Sequence, residues 1–142
     1  MKRILVYLSL MFILVGCSNE NGDNSTKEVD ITKAFVEENA EVGLTYSEVR
    51  ERFGTELLAD VVDNTETWLY DSTQYSGFEY DKSLEVVSFD EIKSGNLEYQ
   101  LYINFIEEEA FMYSYFYLGE DGKVWQYQII PNSDPLNIPV SL

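Results

Sequence analysis

The side chains that carry out most enzyme chemistry are scarce in this chain. Its 142 residues include no histidine and a single cysteine, Cys17. Nucleophile systems in which an imidazole takes a proton from serine or cysteine are therefore excluded. So are an internal disulfide and a zinc site built on several cysteines. Carboxylates are plentiful, 26 against nine basic groups. Two of them flanking a sugar can cut a glycosidic bond, but among so many acids a suitably spaced pair arises by chance. No Gly-rich phosphate loop occurs, nor a D-x-[DN]-x-[DN]-G calcium loop. Glu107-Glu108-Glu109 reads as a charged hairpin turn that discourages aggregation. The expectation is a protein that is not an enzyme and uses neither metal nor cofactor.

What remains is recognition, and here tyrosine and glutamine stand out. Leu97, Tyr99, Leu101, Ile103 and Phe105 alternate with Glu98, Gln100, Tyr102 and Asn104, the period of a strand with one buried face. Two further strands, Ala110 to Leu118 and Lys123 to Ile130, are joined around Asp121-Gly122, a signal for a two-residue hairpin. That loop pairs Leu118 with Trp125 and Phe116 with Tyr127. A loop at Glu107-Glu108 pairs Ile103 with Met112 and Tyr99 with Phe116. Met112, Ser114, Phe116 and Leu118 then face the core. Gln100, Tyr102, Tyr113, Tyr115, Tyr117, Gln126 and Gln128 form the outer face. Tyrosine offers contact area at low entropic cost, so this face is the candidate partner-binding surface. Two structural readings compete with it. Tyrosine favours strands and stabilises cross-strand pairs, and the loop Ser72–Ser83, with Tyr75, Phe78 and Tyr80, can fold over the face and bury it.

The elements that position this sheet follow from local signals. Residues 17–28 are polar and lack periodicity, a flexible tether. Ile31, Ala34 and Phe35 have helical spacing up to Gly43. Thr45-Tyr46-Ser47-Glu48 is a capping-box pattern. Val49 and Phe53 supply the stripe of that second helix, and Gly54 its end. Beyond Gly54 the period is that of strands: Leu57 to Val62 and Thr65 to Tyr70 flank the turn Asp63-Asn64, and Leu84 to Phe89 reads as a further strand before the turn Ser94-Gly95-Asn96. One α+β domain is expected over 29–130. The tail 131–142, with all three prolines, is expected to be extended or loose.

The first 17 residues bear on location. Lys2 and Arg3 precede an apolar run from Ile4 to Val15, too short for the roughly 20 residues of a spanning helix. Leu14-Val15-Gly16-Cys17 resembles the lipobox of bacterial lipoprotein signal peptides. That resemblance implies that residues 1–16 are removed, that Cys17 receives a diacylglyceryl group and acyl chains such as palmitate, and that the protein is held at the extracytoplasmic face of a cell membrane. Two acyl chains suffice for stable anchoring where one does not. The mature chain would carry seven basic and 26 acidic groups, a net charge of −19. Such a surface repels nucleic acid.

A second resemblance covers residues 31–70. Ile31-Thr32-Lys33-Ala34-Phe35, followed by Val42-Gly43-Leu44-Thr45-Tyr46-Ser47-Glu48-Val49 and Phe53-Gly54, resembles the G-(M/L)-T-x-x-E-V-x-x-x-(L/F)-G segment of small lipoproteins in the β-lactamase-inhibitor-like superfamily, which includes the SmpA/OmlA lipoproteins. Trp68-Leu69-Tyr70 matches the aromatic strand of that group in placement. The resemblance implies two short N-terminal helices packed on a four- to six-stranded antiparallel sheet, with a sheet face that binds a partner. The expected function is a binding module for a protein or cell-envelope component. A scaffold or spacer lipoprotein without a specific ligand is the alternative.

Overall fold

A computed structural model describes residues 29–141. The expected signal segment, Cys17 and the expected tether lie outside the described residues. The fold is α+β: one six-stranded antiparallel sheet whose strands follow one another in chain order. The strands are β1 (Leu58–Val62), β2 (Thr65–Asp71), β3 (Tyr99–Ile106), β4 (Glu109–Leu118), β5 (Val124–Ile129) and β6 (Leu136–Pro139). The helices are few and short: α1 (Lys33–Asn39), α2 (Tyr46–Phe53) and α3 (Phe89–Ser94).

Polar side chains fix the starts of α1 and α2. Thr32 Oγ1 accepts from the Phe35 amide at 3.1 Å. At α2 both halves of the capping box form: the Thr45 amide donates to Glu48 Oε2 at 2.9 Å, and Thr45 Oγ1 accepts from the Glu48 amide. Gly54, with φ 84°, ends α2 in a conformation that a side chain would strain. Asp63-Asn64 and Glu107-Glu108 both have positive φ throughout, as a two-residue hairpin turn requires.

The helical side of the sheet carries the larger core. Val36, Val49 and Phe53 pack on Trp68, Tyr70, Leu101, Ile103, Tyr113 and Tyr115. The other side carries a smaller core in which Leu69, Tyr102 and Phe116 meet Ile92 and Leu97 beneath the β2–β3 connection.

One expectation is corrected here and another is narrowed. Leu84–Phe89 is not a strand. Leu84 and Val87 pack on the sheet's second face while Glu85 and Val86 are exposed, and Phe89 begins α3, which ends at Gly95 with φ 80°. The turn after the segment was legible, but the apolar residues sit three apart rather than two. The tail, expected to be extended or loose, is extended: Leu136–Pro139 pairs with β5 as an edge strand. The Val140 amide donates to the Val124 carbonyl at 2.9 Å. By alternation, Ile138 and Leu136 also turn their backbone groups inward, whereas Pro135, Asn137 and Pro139 turn theirs outward. Proline is tolerated where its missing N–H would have faced solvent.

Candidate functional site

One unpaired residue decides which face of β4 meets the helices. The hairpin at Glu107-Glu108 begins in the expected register, with Phe105 opposite Ala110. The next pair is Asn104 with Met112, leaving Phe111 without a partner. This bulge moves every later residue of β4 to the other face. Tyr113, Tyr115 and Tyr117 therefore point toward the helices, and Met112, Ser114 and Phe116 point away, the reverse of the alternation-based expectation.

The next hairpin slips by one residue as well. Gly119 N–H donates to Lys123 O at 2.8 Å, and Gly122 N–H to Gly119 O at 3.0 Å. The loop is thus three residues, Glu120 to Gly122, with Gly122 left-handed at φ 75°. Leu118 pairs with Val124 and Phe116 with Gln126, not with Trp125 and Tyr127. The two slips cancel. Tyr127 joins the helical-side core, and Gln126 and Gln128 lie on the second face as expected.

The three tyrosines of β4 are packing groups. Tyr113 is fully buried and donates to the Glu41 carbonyl at 2.7 Å. Tyr115 donates to the Ile31 carbonyl at 3.1 Å, and Tyr117, half-buried, to Asn137 Oδ1. Burial drives the phenols of Tyr113 and Tyr115 well above the ordinary tyrosine range. They do not form an outer surface.

The second face is half covered. Tyr80, from the β2–β3 connection, donates to Asp71 Oδ2 and accepts from Gln100 Nε2 at 2.7 Å. Asp71 Oδ1 takes the Thr73 amide at 2.7 Å and the Thr73 hydroxyl at 2.5 Å. Gln100 Oε1 accepts from the Ser88 amide at 2.8 Å, and Tyr102 donates to the carbonyls of Ser83 and Val86. This network pins the connection over Gln100 and Tyr102, two predicted surface residues that it buries. Burial and the Asp71 carboxylate both push the Tyr80 phenol upward.

Where the cover stops, a groove opens. One part, of about 190 Å³, is floored by Tyr102, Asn104, Ser114 and Phe116. A neighbouring part, of about 530 Å³, runs on between Val62, Phe111 and Met112. Both share Thr67, Leu84, Glu85 and Asn104. Gln126 and Gln128, half-buried, border the floor and reach Ser114 Oγ at 3.3 and 3.4 Å. Asn104 donates to Thr67 Oγ1 at 2.9 Å. Asp63 and Glu85 stand among the lining residues, and neither part is lined by Lys or Arg. Of the seven residues expected at the surface, Tyr102 forms part of this floor and Gln126 and Gln128 border it. Ser114, Asn104 and Thr67 were missed, and only the bulge brings Ser114 to them.

Neither sheet edge invites another strand. On β1, Asp60 Oδ1 accepts the Val61 amide at 2.7 Å, occupying a donor that strand addition would need. At the other edge, Pro139 in β6 and Pro135 just before it take outward positions without an N–H donor. Edges blunted in this way resist pairing.

Comparison with protein-family models, characterised proteins and solved structures finds no match in any of the three. The site's geometry therefore carries the functional argument.

Proposed function

We propose that this protein is a lipid-anchored lipoprotein on the extracytoplasmic face of a cell membrane, whose domain is a non-enzymatic binding module for a protein or cell-envelope component. The observation that carries the reading is the groove on the second sheet face. Asn104, Ser114 and Thr67 give it polar groups beside the rings of Tyr102 and Phe116, and the β2–β3 connection walls one side through Leu84 and Glu85 without closing over it. Ligand sites commonly combine an apolar surround with a few convergent polar groups. The blunted edges direct recognition to a face. Anchoring rests on Lys2-Arg3, the apolar run and Gly16-Cys17. Kinship with the β-lactamase-inhibitor-like small lipoproteins belongs to the same proposal, supported by two short helices before a sheet and by the capped α2 ending at Gly54.

A spacer lipoprotein is the second reading, favoured by the use of Tyr113 and Tyr115 for packing. A photo-crosslinking residue at Gln128, compared in cells with one at exposed Glu51, separates the two. A dominant adduct at Gln128 that is missing at Glu51 is expected. Matching adduct patterns at both positions, or none at either, would leave the spacer as the better account.

A further inference from the structure

Resting on the recognition reading above, we propose that the groove binds an extended polypeptide segment bearing basic side chains. The groove's charge is one-sided. Asp63 and Glu85 line it without a Lys or Arg, and Asp60 occupies the same cross-strand row as Thr67 and Asn104. The whole chain has a net charge of −17, so its field draws cations toward the cleft and keeps anionic ligands away.

The floor suits a peptide backbone. Asn104 on the floor, and Gln126 and Gln128 at its border beside Ser114, each offer both a donor and an acceptor, matching the alternating N–H and C=O groups of an extended chain. Their amide oxygens have no hydrogen-bond partner among the described residues. Ser114 is only 6% exposed, and its hydroxyl lies at the groove floor with no acceptor for its proton among the described residues. The amide nitrogens of Gln126 and Gln128 reach it at 3.3 and 3.4 Å, longer than the usual optimum near 2.9–3.0 Å, and exchange readily for ligand groups. Val62, Leu84, Phe111 and Met112 give apolar walls for aliphatic stems, as lysine and arginine require when their charged ends reach outward. A neutral glycan would satisfy the floor and leave the carboxylates unused.

The test uses the full chain in uncharged detergent micelles. The probe is a fluorescent decapeptide of alternating lysine and leucine. A glutamate–leucine decapeptide and an uncharged N-acetylglucosamine oligomer serve as comparators. Glu85→Lys with Asp63→Asn reverses the groove's charge, the asparagine keeping the left-handed turn. Glu38→Lys with Glu51→Gln makes the same change in net charge on the helical side. Binding of the lysine peptide should weaken at least tenfold in the groove variant and less than twofold in the control. The peptide should also move the side-chain amide NMR signals of Gln126 and Gln128. Equal weakening in both variants means diffuse attraction and overturns the proposal. If the glycan or acidic peptide alone moves those signals, the groove survives and the basic-segment class is wrong. If no probe moves them, the groove reading itself fails.

Discussion

Raising the pH above 10 should unfold this protein through its buried tyrosines. Tyr70, Tyr99, Tyr102, Tyr113 and Tyr115 are each less than 10% exposed. In each, burial is the leading cause that lifts the phenol far above its ordinary value. The folded chain therefore keeps protons that the unfolded chain releases above about pH 10. Because the native state then binds more protons, stability is full below pH 10 and falls as pH rises. Each such phenol costs about 1.4 kcal/mol per pH unit beyond that point. Five together cost about 7 kcal/mol near pH 11, comparable with a typical domain's whole stability of about 5–15 kcal/mol. Tyrosinate absorbance followed alongside far-ultraviolet circular dichroism checks this. One steep step near pH 11, with both signals moving together, is expected. Smooth ionisation near pH 10 with the fold intact would refute the reasoning and return Tyr113 and Tyr115 to the solvent.

Three further outcomes follow from the same structure. Thr45→Ala removes the capping box of α2 and should lower stability by about 1 kcal/mol in urea unfolding; an unchanged midpoint would show that packing alone sets the helix start. Tyr115→Phe keeps the ring and deletes the 3.1 Å bond to the Ile31 carbonyl, a loss of about 1 kcal/mol by the same assay. Asp71→Asn weakens the charge-assisted bonds to Thr73 and Tyr80 at a cost of about 1.5–3 kcal/mol; limited proteolysis should then cut the β2–β3 connection first, and unaltered protection would refute its role as the clasp.

Much of the fold was legible because it rests on local chemistry. The capping box, the Asp63-Asn64 turn and the alternation of Tyr99 to Phe105 each follow from side-chain type and spacing, whereas Leu97 lies before the strand and packs in the core of the opposite face. Other features depend on tertiary pairing. Phe111 looks like any strand residue, and only its missing partner in β3 makes it a bulge, yet that one residue reverses the faces of β4. Asp121-Gly122 suits two- and three-residue hairpin loops alike, since glycine serves the left-handed position in both. The segment Leu84–Phe89 is apolar because it covers a sheet, a property that composition shares with strands. Pro135 and Pro139 argue against a central strand and are harmless at an edge. The candidate site inherits these limits: Gln126, Gln128 and Tyr102 were placed on the right face and stay at the groove or its border, Gln100 was placed there and then covered, and Ser114 was hidden by the bulge.

Which face of β4 meets the helices is the claim on which the groove depends. Cross-strand backbone contacts measured by NMR on the labelled full chain in micelles test it most directly. The account predicts contacts from Ser114 to Tyr102 on one side and to Gln128 on the other. Contacts from Tyr113 to Tyr102 would contradict it, restoring the uninterrupted alternation and leaving no polar floor for a ligand.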